Sequence, residues 1–582
     1  MENTEKFYDI RPIHGYKDML AQSAQLFEKQ FAFRLKNDDG EYYGVTYPEF
    51  YDQVNALGTA LSGRGRGDCH VALIGRNCYE WCCSYLAVTC GGGVIVPIDK
   101  ELPPDDVLNI ISVSESKLLF CDLASYEKLA CEAQRLPEGL EIICFDRCDK
   151  PGVVYYPEVV AQGKAILEAG NDEYLHITPD TSKMSILLFT SGTTGMAKGV
   201  MLSQDNVCSD IMSLSGVVKI TTEDTLLSIL PLHHTYECSL SFLMLMYSGG
   251  CVAFCEGLRY ITKNMQDIQP TLFVTVPLML EKIHARIIKK ASEKKGGKFA
   301  LSFGKVIANA SSALGVNISD KIFAEITKNF GGRLRMIITG AAAINPEVVK
   351  DFHSFGIPVY LGYGLTECSP LVIGNNDRIQ LNDSVGIPLP GVDAKITDPD
   401  ADGIGEICVK GPMIMLGYYN DPEATAQVLD DDGWFHTGDL GSVDADGHYR
   451  ITGRIKNVIV TKNGKNIYPE EVEYYLNKNP FVAESMVIGE DDEESEEGTR
   501  VAAKILPNID AILEKLKKTT ATTEEIVHTV SEVVKDVNKK LPFYKHIKNF
   551  DIRETEFIKT TTQKIKRYAN ASSEEKADGK QD

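Results

Sequence analysis

Leu188-Phe189-Thr190-Ser191-Gly192-Thr193-Thr194-Gly195-Met196-Ala197-Lys198-Gly199 follows a strand-like apolar run, Ser185–Phe189, and carries a glycine or a hydroxyl at most steps. Glycine tolerates the tight turns that aim successive backbone N–H groups at an anion. The hydroxyls of Thr190, Ser191, Thr193 and Thr194 add donors, and Lys198 adds a full positive charge. That chemistry suits a polyphosphate. The spacing is not the Gly-x4-Gly-Lys-Ser/Thr of the common phosphate loop, and taken alone the stretch reads equally well as a plain turn.

On both sides of it, apolar runs of strand length alternate with helical patterns. Upstream, Glu49–Ser62 and Tyr79–Thr89 read as helices, and His70–Ile74, Gly93–Ile98 and Lys117–Cys121 as short buried strands. Downstream, Thr225–Leu230, Gly250–Phe254, Leu272–Val276, Arg335–Thr339 and Pro358–Leu361 repeat the pattern. Strands alternating with helices predict βαβ units and parallel sheets, hence an α/β protein with two such subdomains. Between Ser384 and Val409 the texture changes to short strands and Gly/Pro turns, a small β unit. Beyond Gly453, helices over Glu470–Asn477 and Glu524–Lys540 flank a strand at Ser485–Gly489. A boundary near Gly453–Lys456 divides the chain into a large N-terminal part, 1–453, and a small α+β unit, 454–568. The polar stretch 569–582 is expected to be disordered.

Composition narrows the function classes. Among 582 residues, 60 Lys+Arg stand against 82 Asp+Glu, a net charge of −22 without a basic patch, so nucleic acid is not an expected partner. Hydrophobic residues at 43 % and charged residues at 24 % are ordinary for a globular chain with a sizeable core. The 15 cysteines all fall between Cys69 and Cys408, and spacings such as Cys78-x3-Cys82, Cys144-x3-Cys148 and Cys251-x3-Cys255 are not zinc C-x-x-C pairs. They read as free core thiols of a cytoplasmic protein. Met1–Lys6 lacks a signal-peptide core. The longest apolar stretch, Leu240–Phe254, is broken by Ser248-Gly249-Gly250 and is shorter than the ~18–20 residues needed to span a bilayer. A peripheral membrane contact stays open. The acidic run Glu490–Glu497 and the Lys/Gly-rich Lys289–Lys298 read first as solvated loops.

Four further stretches carry chemistry. In Tyr360-Leu361-Gly362-Tyr363-Gly364-Leu365-Thr366-Glu367, a carboxylate beside a hydroxyl can hold Mg2+, and an aromatic between glycines can face a flat ring. In Gly433-Trp434-Phe435-His436-Thr437-Gly438-Asp439-Leu440, an aspartate on a tight turn can accept from two sugar hydroxyls. The other two are Gly453-Arg454-Ile455-Lys456-Asn457, followed by Gly464–Glu473, and Lys559-Thr560-Thr561-Thr562-Gln563-Lys564-Ile565-Lys566-Arg567.

In this order and spacing the five stretches resemble the adenylate-forming superfamily, from about Thr46 to Arg567. Acyl-CoA synthetases, peptide-synthetase adenylation domains and beetle luciferases belong to it. The resemblance implies a large N-terminal part of two α/β subdomains plus a distorted β-barrel, and a small mobile α+β C-terminal domain. It implies a phosphate loop formed by Thr190, Ser191, Gly192, Thr193, Thr194, Gly195 and Lys198. It implies an adenine strip, Gly340, Ala341 and Ala342, with Tyr363 and Gly364 against it. Thr366 and Glu367 would handle phosphate and Mg2+, Asp439 and Arg454 the ribose, Lys456 the hinge, and Lys564 the α-phosphate and carboxylate. Pro231-Leu232-His233-His234-Thr235-Tyr236-Glu237 resembles the acyl-pocket motif, with His234 near the carboxylate and Gly340 and Gly362 leaving room for the chain. The implied activity is that of an ATP-dependent acid–CoA ligase, with ATP, Mg2+ and coenzyme A as cofactor or co-substrates. The texture of Val94–Lys100 and Val460–Gly464 looks like the long-chain fatty acyl-CoA synthetase branch, which favours a medium- or long-chain acid.

Two departures stand out. Gln563 occupies a position that is commonly glycine, and the stretch from Arg454 to Pro469 is one residue longer than in many relatives. Three rival readings remain. The acyl-adenylate could be released as such, or its acyl group passed to a separate acyl carrier protein in place of CoA; only 18 residues follow Lys564, too few for a fused carrier domain. A non-catalytic nucleotide sensor would be expected to lack a reactive group, yet Thr190, Glu367, Asp439, Arg454 and Lys564 are all present. A dinucleotide oxidoreductase fits poorly, because Gly63-Arg64-Gly65-Arg66-Gly67 precedes a strand instead of following one.

Overall fold

Thr46 and Glu49 start the first long helix, Tyr47–Gly63, with a reciprocal cap. The Thr46 side chain accepts from the Glu49 N–H, and the Glu49 carboxylate accepts from the Thr46 N–H. The helix buries Phe50, Val54, Leu57 and Leu61 along one face. A computed structural model describes residues 5–190, 198–293, 304–305, 323–461, 465–491, 499–559 and 564–572. Ser191–Gly195 of the phosphate-loop expectation, most of the acidic run, half of the Lys/Gly-rich run and residues 573–582 lie outside them.

These residues form two compact units, the first comprising Met1–Asp393 with Val409–Phe435, the second Ala394–Cys408 with His436–Asp582. The first unit carries the two expected α/β layers. One is an eight-stranded sheet in the order Gly417–Tyr418, Lys198–Ser203, Met184–Thr190, Val94–Ile98, His70–Ile74, Leu118–Cys121, Glu141–Cys144, Val153–Tyr155. Its central pairs are parallel, and Lys198–Ser203 is antiparallel to both neighbours. The other is a nine-stranded sheet in the order Ile387–Pro388, Leu371–Gly374, Val359–Gly364, Met336–Gly340, Leu272–Thr275, Thr225–Ser228, Cys251–Phe254, Phe31–Lys36, Tyr42–Thr46. Strands buried on both faces read as unbroken apolar runs, and Leu272–Thr275 and Met336–Gly340 are buried throughout. The hairpin Phe31–Thr46 extends the edge of this sheet, with Phe31–Lys36 parallel to Cys251–Phe254.

The second unit is centred on a four-stranded sheet in the order Asp393–Thr397, Gly405–Lys410, Phe435–Val443, Tyr449–Arg454. Among the described residues it forms no closed barrel, its first and last strands being unpaired with each other. The Gly/Pro punctuation shows where strands turn, not whether the outer two meet. Beyond it, a three-stranded sheet of Val482–Asp491, Thr499–Pro507 and Ile547–Ile552 packs with helices Pro469–Asn477 and Thr523–Asn538 around Val472, Leu476, Val530 and Val533. Helix Arg567–Ser572 takes the first four residues of the stretch expected to be disordered. Buried Asn570 holds it there, donating to the Ile558 carbonyl and accepting from the Ile558 N–H, both at 2.9 Å. All 15 cysteines are unbridged. Among the described residues no helix is long and apolar enough to cross a membrane.

Candidate active site

In the first unit Thr190 and Lys198, the described ends of the polyphosphate-type stretch, are register partners on the antiparallel strands Met184–Thr190 and Lys198–Ser203. Thr190 Oγ1 lies 3.5 Å from the Lys198 carbonyl. Lys198 Nζ stands 4.7 Å from the centroid of the Tyr418 ring, a cation–π contact. The Tyr418 hydroxyl in turn donates to Glu367 Oε1 at 3.0 Å. Tyr418 is set by its pairing with Val200, and the Glu367 carbonyl accepts from the Met415 N–H at 2.8 Å. Asn206 fixes the same segment, donating to the Pro412 and Ile414 carbonyls at 2.8 and 2.9 Å. Thr366 and Glu367 lie on the 3-10 turn Thr366–Cys368, separated from strand Val359–Gly364 by Leu365 alone. Lysine, aromatic ring and carboxylate thus form one chain of contacts. Sequence reasoning missed Tyr418, because a two-residue strand offers no periodicity.

The small residues have a backbone reason for being small. Gly340 and Gly362 are register partners on adjacent parallel strands. A Cβ on Gly340 would stand 2.8 Å from the Gly362 carbonyl oxygen, and one on Gly364 would overlap the Pro370 carbonyl. Ala341 follows at φ +70°, in the left-handed region that costs a non-glycine residue about 1 kcal/mol or more. Tyr363 is buried on the same strand. Near Gly340, the Tyr236 hydroxyl donates to the Thr275 carbonyl at 3.2 Å, and Tyr236 Cε2 lies 3.9 Å from the position of a Gly340 Cβ.

His234 occupies the N-cap position of the short helix Thr235–Glu237 without capping it through its side chain. Its ring centroid lies 4.2 Å from that of His233. Burial, the neighbouring His234 and Lys100 push the His233 pKa well down, so that ring is neutral. Three residues further on, Glu237 is fully buried, and burial lifts its pKa to about 8. The Ser228 hydroxyl lies 2.6 Å from its Oε1 and the Ser241 hydroxyl 2.8 Å from its Oε2. Asn77 ties Ser228 to the Pro231–Glu237 loop: its Nδ2 donates to Ser228 Oγ and the Leu230 carbonyl, and its Oδ1 accepts from the Leu232 N–H. Neither Asn77 nor the buried state of Glu237 was visible in the sequence.

The second unit carries the remaining residues. Asp439 and Arg454 are register partners, and Arg454 Nε lies 2.7 Å from Asp439 Oδ1. The aspartate side chain is 7 % exposed and the arginine 45 %, so the pair presents its guanidinium outward. Asp439 lies within strand Phe435–Val443 and not on the tight turn expected; Gly438 precedes it at φ +69°, and Thr437 donates to the Ile407 carbonyl and accepts from the Asp439 N–H. Lys456 sits in the 3-10 turn Ile455–Asn457, just after strand Tyr449–Arg454. Lys564 precedes a residue bridged to Lys559, and the bidentate pair of Arg567 with Glu473 (2.6 and 2.7 Å) anchors the segment. Desolvation lowers the Lys564 pKa first, then the like charge of Arg454, with Asp439 opposing. The side chain as a whole keeps exposed surface. Asp439, Arg454 and Lys564 are therefore electrostatic neighbours.

The family model described as AMP-binding enzyme matches residues 20–419, and the one described as AMP-binding enzyme C-terminal domain matches 456–573. The chain belongs to the AMP-binding enzyme family. It is 31 % identical over 83 % of its length to a peroxisomal protein of Arabidopsis thaliana called long chain acyl-CoA synthetase 7, of which 73 % is covered. It is also 31 % identical, over 77 % of its length and 68 % of the relative's, to human long-chain-fatty-acid–CoA ligase 6. Among solved structures, ATP-bound MatB from Rhodopseudomonas palustris shares the fold at a TM-score of 0.73 and 24 % identity, with 95 % of this chain and 98 % of that one covered. A Mycobacterium tuberculosis fatty acyl CoA synthetase does so at 0.65 and 22 %, over 97 % and 99 %.

Proposed function

We propose that the protein is an ATP-dependent acid–CoA ligase acting on a medium- or long-chain fatty acid through an acyl-adenylate. The observation that carries this reading is the 31 % identity, over most of the chain, to proteins called long-chain acyl-CoA synthetase or ligase. The chain also keeps each group the chemistry needs. A carboxylate is a poor electrophile because its leaving group would be oxide. Attack of its oxygen on the α-phosphorus of ATP breaks the bond to pyrophosphate and forms the mixed anhydride with AMP. The CoA sulfur then attacks the acyl carbon, and AMP departs.

The loop from Thr190 to Lys198 is assigned the β- and γ-phosphates, with Lys198 oriented by the Tyr418 ring. Gly340, Ala341, Ala342, Tyr363 and Gly364 are assigned the adenine, and Asp439 and Arg454 the ribose. Lys564 is assigned the charge that builds on the α-phosphate and carboxylate, since a prepositioned cation there is worth most at the transition state. His234 is assigned the carboxylate end of the acid, Gly340 and Gly362 the acyl pocket, and Lys456 the hinge. The Glu367 carboxylate with the Thr366 hydroxyl beside it offers the hard oxygen donors Mg2+ prefers. Bound there, the ion would neutralise phosphate charge. Eleven of the 15 cysteines are buried core thiols, which supports a cytoplasmic location.

The test is pyrophosphate release with ATP and Mg2+ across acids from acetate to oleate, each with CoA, with a holo-carrier protein, and with neither. Turnover that needs CoA and peaks at one chain length is the expected result. Release that responds only to the carrier would move the acceptor, and nucleotide binding without release for any acid would overturn the enzyme reading.

A further inference from the structure

Glu406 and Cys408 stand two residues apart on strand Gly405–Lys410, so their side chains leave the same face. His436 approaches from the neighbouring strand Phe435–Val443. His436 Nδ1 lies 2.9 Å from Glu406 Oε2 and 3.4 Å from Cys408 Sγ, and the three ligand atoms all fall within 4.8 Å of one another. We propose that these three residues bind a borderline-soft divalent cation of the Zn2+ class, chemically distinct from the hard-cation role assigned to Glu367.

The donor set supports that choice. A thiolate, an imidazole and one carboxylate are three-ligand zinc chemistry, whereas Mg2+ and Ca2+ favour oxygen alone. Tetrahedral zinc bond lengths require ligand separations of about 3.5 Å between nitrogen and sulfur and about 3.4 Å between nitrogen and oxygen. The first edge is already present, and the second needs a small opening. Outer groups orient the ligands, as zinc sites require. The Gly438 N–H donates to Glu406 Oε1 at 3.0 Å, which turns Oε2 toward the histidine. The Thr397 hydroxyl donates to Cys408 Sγ at 3.3 Å, which favours the thiolate. The sulfur is fully buried, while His436 and Glu406 keep 32 % and 20 % of their side-chain surface exposed. A cation held there would tie strand Gly405–Lys410 to strand Phe435–Val443, three residues before Asp439.

The test uses the full chain, reduced and stripped with a chelator, titrated with Co2+ and then Zn2+. One equivalent of Co2+ should bind with a thiolate-to-metal charge-transfer band, Zn2+ should displace it, and affinity should rise with pH because the ligands must lose protons. Zn2+ should also raise the thermal midpoint. Cys408→Ser should abolish the band, and His436→Gln should weaken Co2+ binding by roughly 10–100-fold or more. Absence of stoichiometric binding, or a band that survives both substitutions because another thiol supplies it, would overturn the proposal. Should Cys408→Ser fail to fold, unchanged Co2+ affinity in His436→Gln, at a partly exposed position, overturns it alone. None of these readouts needs adenylate or thioester formation, so the outcome is independent of the ligase reading.

Discussion

Lys564 and Glu237 are both ionisable side chains whose surroundings work against their charge, in opposite functional directions. Lys564→Ala should lower acyl-adenylate formation by roughly 10²–10³-fold, the usual cost of removing a transition-state donor. It should leave thioester formation from supplied acyl-AMP close to wild type, and equal loss of both half-reactions would reject the role. Because the Lys564 pKa is lowered, adenylation should also decline with rising pH before an ordinary lysine would lose its proton. Glu237 titrates the other way. Its folded pKa, about 8, exceeds its unfolded value, so between roughly pH 4.5 and 8 the folded state binds the extra proton. Stability should therefore fall as pH rises through that window, by an amount on the order of a few kcal/mol. Glu237→Gln, which imitates the neutral form between Ser228 and Ser241, should flatten the decline in thermal midpoint from pH 5 to 8. An equally steep decline in the variant would show that other groups carry it.

Among the elements, Asp224 joins three parallel strands at their starting ends. It directly precedes strand Thr225–Ser228, and its Oδ1 accepts from Thr271 Oγ1 at 2.7 Å, one residue before strand Leu272–Thr275. Arg335, one residue before strand Met336–Gly340, donates to both carboxylate oxygens at 2.7 Å. The carboxylate is 1 % exposed and the guanidinium 40 %. Arg335→Ala would strand a buried charge, and a loss of about 3 kcal/mol is expected in denaturant melts; a loss under about 0.5 kcal/mol would place the strand ends' stability elsewhere. Those three strands were legible in the sequence, because a parallel strand buried on both faces announces itself as an apolar run. The hairpin Phe31–Thr46 was not: its outer strand is half exposed, and its partner lies far along the chain. Within the candidate site, glycines and reactive groups could be read one by one. Tyr418 and Asn77, which position them, act only through contacts distant in sequence.

At the scale of the whole molecule, the compact units and the assigned hinge divide the chain differently. The second unit already takes in Ala394–Cys408 and the strand carrying Asp439, whereas Lys456 follows that sheet's last strand. Lys456→Pro fixes φ and removes an N–H at the turn. It should slow overall turnover while acyl-adenylate still forms in a single turnover; unchanged rates for both half-reactions and the whole cycle would remove the hinge assignment. The nine-stranded sheet also has a consequence for how the protein is made. Its strand Phe31–Lys36 pairs with Cys251–Phe254, about 200 residues later. At a ribosomal rate of roughly 5–20 residues per second, the nascent hairpin Phe31–Thr46 waits on the order of 10–40 s for its neighbour to be translated. During that interval its edge is open to chaperones, or to the same hairpin on the next polysome chain.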